Sequence, residues 1–404
     1  MSYSFLINSL KGGGAEKQLS TLIKHLPYEK VYTLEKSDTK SDKVSQLSEH
    51  TAKTPNLIKI LSLNYYGKKL TSLLSKEEKK IISFMTRANA VNVFSSQKSG
   101  HEPIICERTN PSKEFQGIRE KIYKPIIKKT YEKAAKIITN SQGTAQEIIK
   151  SFFAKEEKIT TVPNLIDLEE IKKAKEESLG EWQKIFEKSR VIISCGRLTN
   201  AKAQWRLLKI FSLLLAKDKE LKLVILGSGE LTNYLTNLSE ALGLRTYFPG
   251  KELSENYDAY FAGNTENPYK FVSSSKIFVL SSLWEGFPNV LIEAMACGTP
   301  CISSNCAYGP LEIFSIKPEI NLYEKKEILE EDFGVLLPTL NPQKIYNVFE
   351  KPEESENVWA EYLYSFINDS KKMNFYKSCV SARALDFSPK KIIPMWERIL
   401  YEPT

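Results

Sequence analysis

Cysteine, histidine and long apolar runs are all scarce in this chain. Six cysteines, Cys106, Cys195, Cys297, Cys301, Cys306 and Cys379, stand among 404 residues. They form no C-x-x-C pair and have no histidine partners at ligand spacing, a pattern that suits reduced thiols in a cytosol rather than a disulfide framework or zinc site. No stretch approaches the ~20 apolar residues that a spanning helix needs. The start, Met1 to Ile7, lacks the basic head and apolar stretch of a signal peptide. A soluble or membrane-peripheral cytoplasmic protein is the expectation. Internal repeats, low-complexity tracts and a D-x-D triplet in strand context are missing too.

What is present is an apolar fraction of 42% in a chain long enough for two cores. A net charge of +8, from 57 Lys and Arg against 49 Asp and Glu, favours phosphate-rich partners. Short β-rich runs alternate with helical patterns from end to end, the mark of α/β parallel sheets covered by helices on both faces. One series ends at Val162 to Asp167, and a Lys/Glu-rich stretch from Glu169 to Ser189 reads as solvated helix and linker. A second series then begins at Val191. Two domains are expected, 1–168 with a returning C-terminal helix 385–404, and 169–384.

The most informative segment runs from Ser281 to Pro300. A strand ends near Ser281, a loop carries Glu285-Gly286-Phe287-Pro288, Asn289 caps a helix from Val290 to Cys297, and Gly298 stops it. Glu285 therefore falls at the carboxyl end of a parallel strand, where ligands of open α/β sheets bind. The free N–H groups of the helix start suit a phosphate, and Glu293 lies in its second turn. Two isolated glutamates would ordinarily be exposed charges; here the whole surrounding pattern agrees. Glu285 and Glu293 form the ends of an E-x7-E motif within E-G-F-x-N-V-L-I-E-A-x-A-x-G-x-P, which resembles family 4 glycosyltransferases. The resemblance implies a GT-B fold, in which two doubly wound Rossmann-like domains face each other across a cleft and a C-terminal helix crosses back to the first. It also implies that Glu285 contacts a donor sugar, that Gly286, Phe287, Asn289 and Val290 line sugar and phosphate, and that Glu293 holds the ribose.

Ser194 to Lys202 looks like the family's G-R-L-x3-K segment, so Arg197 and Lys202 are the implied cations for a donor diphosphate, with Glu285 completing the catalytic set. Fixed cations stabilise the negative charge that a leaving diphosphate gains. The loop Gly12-Gly13-Gly14-Ala15-Glu16 sits between strand and helix, where glycines let backbone N–H groups approach a phosphate. A dinucleotide-binding reading has Glu35 at a plausible ribose distance, but Lys17 stands where the third glycine belongs. The loop instead resembles the transferase pattern, with Gly13 and Gly14 beside the donor phosphate and Glu16 on the acceptor side. Weaker matches are Pro163-Asn164 to Asp167, Gly227 to Glu230, the Tyr308 to Ile313 turn, and Phe387 to Glu397 as the returning helix.

Where many family members carry a histidine near the donor sugar, this chain has Cys106-Glu107-Arg108-Thr109-Asn110-Pro111; His101 lies before that strand and receives no role. The E-R-x-N-P form resembles members that extend undecaprenyl-diphosphate glycans, which makes Glu107 and Arg108 candidate sugar or acceptor contacts. The basic segment 119–136 interleaves Ile and Tyr with Lys, as a helix on an anionic membrane would. The resemblance thus implies a retaining hexosyltransferase without a catalytic metal or cofactor, taking a nucleotide diphosphate sugar, expected to be UDP-linked, to a glycan or lipid-linked acceptor; nucleic acid is not an expected partner. A nucleotide-sugar epimerase or hydrolase of the same fold, or a non-catalytic scaffold, stays open as an alternative.

Overall fold

A computed structural model describes residues 2–401 apart from 38, 40, 320 and 322. The outermost ends of the expected domains, residue 1 and 402–404, lie outside the described residues. The chain divides into two compact units, Met1–Ile166 with Pro389–Thr404, and Asp167–Ser388.

The first unit holds β1 (Ser2–Ile7), β2 (Val31–Thr33), β3 (Val44–Gln46), β4 (Glu78–Phe84), β5 (Glu102–Glu107), β6 (Lys136–Thr139) and β7 (Ile159–Thr161). They pair in the order β3-β2-β1-β4-β5-β6-β7, every pair parallel. Because helices cover both faces, the central strands read as nearly continuous apolar runs. Short β3 and β7 have no such run and escape sequence reading; their neighbours' backbone groups define them.

The helix Pro389–Tyr401 belongs to this unit. Ile392, Trp396, Ile399 and Leu400 enter the same core as Phe5 and Phe84, and Trp396 stacks on Phe84 at 6.2 Å. Lys80, buried in β4, donates to the Leu400 carbonyl at 3.0 Å. A cation thus meets the negative end of that helix.

The second unit holds β8 (Arg190–Cys195), β9 (Leu221–Leu226), β10 (Thr246–Tyr247), β11 (Ala259–Gly263), β12 (Ile277–Leu280), β13 (Cys301–Ser304), β14 (Leu329–Glu331) and β15 (Gly334–Leu337). Their order is β10-β11-β9-β8-β12-β13-β15-β14, parallel except for the β14–β15 pair at one edge. Strands β9, β11 and β10 extend the sheet on one side of β8, and the chain then returns to place β12 on the other. The topological switch point therefore lies between β8 and β12, the position at which doubly wound sheets open a crevice at their carboxyl ends.

The stretch 169–189, expected as solvated helix and linker, is helical but not solvated throughout. It folds as Leu168–Ala174, Gly180–Trp182 and Gln183–Lys188, with Ile171, Trp182, Ile185 and Phe186 buried. Trp182 meets Tyr247, Tyr260 and Phe271 edge-on at 5.5, 5.8 and 5.5 Å. A few large apolar residues spaced among charges were enough to fix the segment on the second unit. Helix Leu168–Ala174 starts on Asp167, whose carboxylate accepts from the Glu170 N–H at 3.1 Å.

Candidate active site

The loops that follow β8 and β12 meet at the switch point. Leu283 N–H donates to the Ala201 carbonyl at 2.8 Å, and the Ser281 hydroxyl donates to the Lys202 carbonyl at 2.8 Å. This backbone lacing brings Lys202 Nζ within 2.5 Å of Glu285 Oε1. The Ser282 hydroxyl donates to the same oxygen at 2.6 Å, so Oε2 keeps acceptor capacity. Both side chains are mostly shielded, 17% and 12% exposed, where a charge pair acts more strongly than in open water. A third loop, after β13, secures the Glu285 backbone: its N–H donates to the Ala307 carbonyl at 2.9 Å and its carbonyl accepts from Tyr308 N–H at 3.0 Å.

The helix beyond the loop spans Asn289–Ala296. It begins one residue before the sequence reading, with Pro288 rather than Asn289 in the cap position and no side-chain cap bond. Proline's fixed φ, here −70°, already suits the turn into a helix. Gly298 ends it at φ +81°. Glu293 is buried in the second turn, Asn289 is buried at the start, and Val290 is half-buried. The Phe287 ring is also buried, against Phe387 at 5.4 Å, so this residue can offer a ligand only its backbone. Gly286 is buried as well.

Around the same point the loops after β8 and β9 lie on each other. Gly227 N–H donates to the Gly263 carbonyl at 2.8 Å, Gly196 N–H to the Leu226 carbonyl at 3.0 Å, and Leu198 N–H to the Ser228 carbonyl at 3.0 Å. Arg197, on this stack, is exposed. The unit thus presents one tethered cation, one exposed cation, a carboxylate and a helix start at one end of its sheet. Among the described residues no group of three or more His, Cys, Asp or Glu is placed to hold a metal ion, and no disulfide joins the six cysteines.

Gly13, Gly14, Glu16, Glu107 and Arg108 all lie in the first unit. Helix Gly14–Leu22 starts on Gly13, and a Cβ there would strike the Glu16 carboxylate. Gln18 is a residue the sequence reading missed: its side chain donates to the Leu165 carbonyl at 2.8 Å and accepts from the Leu165 N–H at 2.9 Å. It thereby ties the Pro163-Asn164 segment to the glycine loop. Only a polar residue on the buried face of an otherwise amphipathic helix could have signalled it. Glu35 is engaged internally by Lys59 at 2.9 Å and Arg87 at 2.6 Å.

Glu107 is fully enclosed. Tyr131 donates to it at 2.7 Å and the Arg108 N–H at 3.1 Å; burial outweighs those donors and pushes its carboxyl up to about 7. The Arg108 guanidinium lies 5.2 Å from the Phe84 ring and 5.5 Å from Trp396, and donates to Asn164 Oδ1 at 3.0 Å. It clamps the returning helix to the sheet, a packing role that the E-R-x-N-P reading did not foresee.

His101 precedes β5, at the amino end of the sheet, hydrogen-bonded to Ser99 Oγ at 2.6 Å and Asn92 Oδ1 at 2.8 Å. Burial lowers its pKa from 6.5 to about 4, partly opposed by the Asn92 bond. A depressed folded-state value means that the unfolded chain takes the proton first as pH falls. The stabilisation is complete above about 6.5 and is lost toward 4, a span worth about 3 kcal/mol. Urea midpoints should therefore fall between pH 6.5 and 4 more steeply for the native chain than for His101→Gln. Glu107, with a raised value, contributes in the opposite sense, so the difference between the two chains is the quantity to compare. Parallel curves would refute the assignment.

Comparison with known proteins agrees with this geometry. Residues 12–170 match the Glycosyltransferase Family 4 family and residues 176–317 match Glycosyl transferases group 1. An uncharacterized glycosyltransferase of Methanocaldococcus jannaschii is 33% identical over 302 residues, 74% of this chain and 71% of its own. An N-acetylgalactosamine-N,N'-diacetylbacillosaminyl-diphospho-undecaprenol 4-alpha-N-acetylgalactosaminyltransferase of Campylobacter jejuni is 27% identical over 96% of this chain and 95% of its own. Among solved structures, Anabaena HepE in complex with UDP-glucose superposes with a TM-score of 0.74 at 18% identity, covering 99% of both chains. The lipopolysaccharide outer core galactosyltransferase WaaB does so at 0.63 and 18%, again covering 99% of both. These structures establish the GT-B fold alone. With the sheet order, the laced loops and a relative one-third identical across most of both chains, the chain belongs to the family 4 glycosyltransferases.

Proposed function

We infer that this protein is a retaining hexosyltransferase that moves a hexose or N-acetylhexosamine from a UDP-sugar to a lipid-linked glycan in the synthesis of a bacterial surface polysaccharide or glycoconjugate. The observation that carries the reading is the Lys202–Glu285 pair, fixed by backbone bonds at the switch point of the Asp167–Ser388 unit. Lys202 and Arg197 would face the donor diphosphate, and Glu285 would orient the sugar while fixing where Lys202 sits. Gly227 and the backbone of Gly286 and Phe287 would border the phosphates, with Asn289 and Val290 at the helix start; Glu293 would take the ribose. Gly13, Gly14 and Glu16 lie in the first unit, whose role is acceptor binding.

In the transfer, the bond from the anomeric carbon to the β-phosphate oxygen breaks and a bond from the acceptor oxygen forms on the same face. The departing phosphate takes the acceptor's proton, and UDP leaves. Positive charge on the phosphates comes from Arg197 and Lys202, so no metal or cofactor is needed for this step. Fixed cations gain strength as the leaving group becomes more negative, which lowers the barrier rather than merely tightening binding. The lipid-linked acceptor is supported by the name of the Campylobacter relative that spans nearly the whole chain, and a UDP donor by the UDP-glucose bound to HepE.

Membrane-peripheral location in the cytoplasm follows from such an acceptor. No helix among the described residues is long and apolar enough to cross a membrane. Helix Ile118–Lys133 directs Tyr123, Ile127 and Tyr131 into the core; what it offers a membrane is its outer face of Lys and Arg.

A panel of UDP-, GDP- and ADP-sugars tests the donor. A UDP-sugar at a hundred times its Kd should stabilise the protein by about 2.7 kcal/mol, and transfer to a short lipid-diphosphate acceptor should give an α-product from an α-donor, with EDTA present. Selective stabilisation by another base, an inverted product, or donor rearrangement without acceptor would overturn the corresponding part.

A further inference from the structure

Helix Asn56–Leu61 in the first unit is turned inside out. Its lysine, Lys59, is 4% exposed and reaches Glu35 Oε1 at 2.9 Å. Three of its four apolar residues point the other way: Leu57 is 61% exposed, Ile58 46% and Leu61 74%. Single exposed leucines are ordinary, but three around one short helix, with the cation inward, are not. The buried pair explains the rotation, because Glu35 sits 5% exposed and turning the helix over would strip this carboxylate of one of its two cations while sending the leucines inward. Tyr65, 55% exposed, follows on the next helix. Ile60 packs on the cluster that contains Phe115 and Tyr123, which joins this face to the start of Ile118–Lys133, where Ile118 is exposed too.

The charge near this face is predominantly positive. From His50 to Lys76 the sequence has no Asp or Glu, while Lys53, Lys68 and Lys69 are exposed. The adjoining helix Ile118–Lys133 carries six Lys or Arg against two Glu. Exposed leucines on a surface where lysines outnumber acids complement an anionic bilayer, where apolar groups enter the acyl boundary and cations stay among headgroups. A protein partner would have to supply both an apolar patch and a surrounding acidic rim; an anionic bilayer has both everywhere.

We propose that Leu57, Ile58 and Leu61 insert into an anionic membrane, docking the first unit on the surface that carries its acceptor. This deepens the membrane part of the function inferred above and rests on it. The basic helix supplies long-range attraction and the inverted helix supplies insertion.

The test is co-sedimentation of the full chain with phosphatidylcholine vesicles, with and without phosphatidylglycerol. The native chain should pellet with the anionic vesicles, and Leu57→Ser/Leu61→Ser should weaken that binding about tenfold or more. Lys128→Glu/Lys129→Glu should weaken it in a salt-dependent way. Because the two leucines are exposed, the thermal midpoint and turnover of a water-soluble acceptor should not move in the serine variant. A Leu61→Trp chain should show a blue-shifted emission change on anionic vesicles. Serine-variant binding equal to native, with the glutamate variant impaired, would overturn insertion and leave the electrostatic reading standing; no pelleting of the native chain would overturn both. Light scattering that shows a native dimer dissolved by the serine changes would assign the face to a second copy and likewise overturn the proposal.

Discussion

Lys202→Ala is expected to lower kcat by about a hundredfold to a thousandfold with little change in KM for the donor. A fixed positive group aimed at developing charge is commonly worth that much, and an effect confined to kcat marks an interaction made in the transition state. Glu285→Ala should also reduce turnover, by two routes. It removes an acceptor for the sugar, and it frees Lys202 from the 2.5 Å contact that sets its position. Since the two side chains touch, their losses will not add. The double variant should lie well short of the product of the singles. Glu285→Gln, which keeps the acceptor oxygen and the Ser282 bond but loses the charge, should fall between native and Ala. The measurement is initial-rate kinetics on the native chain and the four variants, with thermal midpoints to exclude unfolding. Native rates in both single variants would remove this site from the chemistry.

Gly227→Ala should be the most destabilising small change in the second unit. The residue sits at φ +127°, and a Cβ would overlap the Gly196 carbonyl oxygen with the carbonyl carbon at 2.9 Å. The obstacle is backbone from the β8 loop, held by the Leu226 and Ser228 carbonyls, so it cannot swing aside as a side chain would. Strain at such a φ costs about 1–3 kcal/mol, and the overlap brings the expected loss to about 4 kcal/mol or more, at the upper end of single-residue effects. That corresponds to a midpoint lower by roughly 10 °C for a domain of this size. Gly243→Ala is the control. Its φ is also positive, at +78°, but nothing lies within 4 Å of the added atom, so strain alone should cost about 1 kcal/mol. Equal losses in the two variants would show that the loop stack yields. A selective loss of donor binding in Gly227→Ala, beyond the stability change, would reveal how far the stack shapes the phosphate site.

Much of this molecule could be read before it folded. Strands β6, β12 and β15 have the limits their sequences suggest, because strands buried on both faces must be short apolar runs. The spacing from Glu285 to Glu293 and the stop at Gly298 are local, set by one loop and one helix. The cap was misjudged by one residue, since proline geometry acted before the asparagine side chain could.

Other features depended on partners remote in sequence. The apolar and aromatic residues in 119–136 looked like a membrane face, yet Tyr123, Ile127 and Tyr131, four residues apart, are one helical stripe claimed by the core. Periodicity locates such a stripe but cannot say what covers it. Arg108 is expected from sequence only as a sugar or acceptor contact; that its guanidinium also packs on the Phe84 and Trp396 rings depends on a helix at the far end of the chain.

The sequence by itself determined the class of fold, the order of elements and the residue types at the site, because those follow from short-range apolar pattern and backbone-permissive glycines. Only tertiary structure decided that Lys202 meets Glu285, 83 positions apart, and that Lys59 faces inward while its neighbouring leucines face out. Both depend on strand order and on the burial of charge. No local stretch of chain encodes these; they are settled when distant segments compete for the same interior.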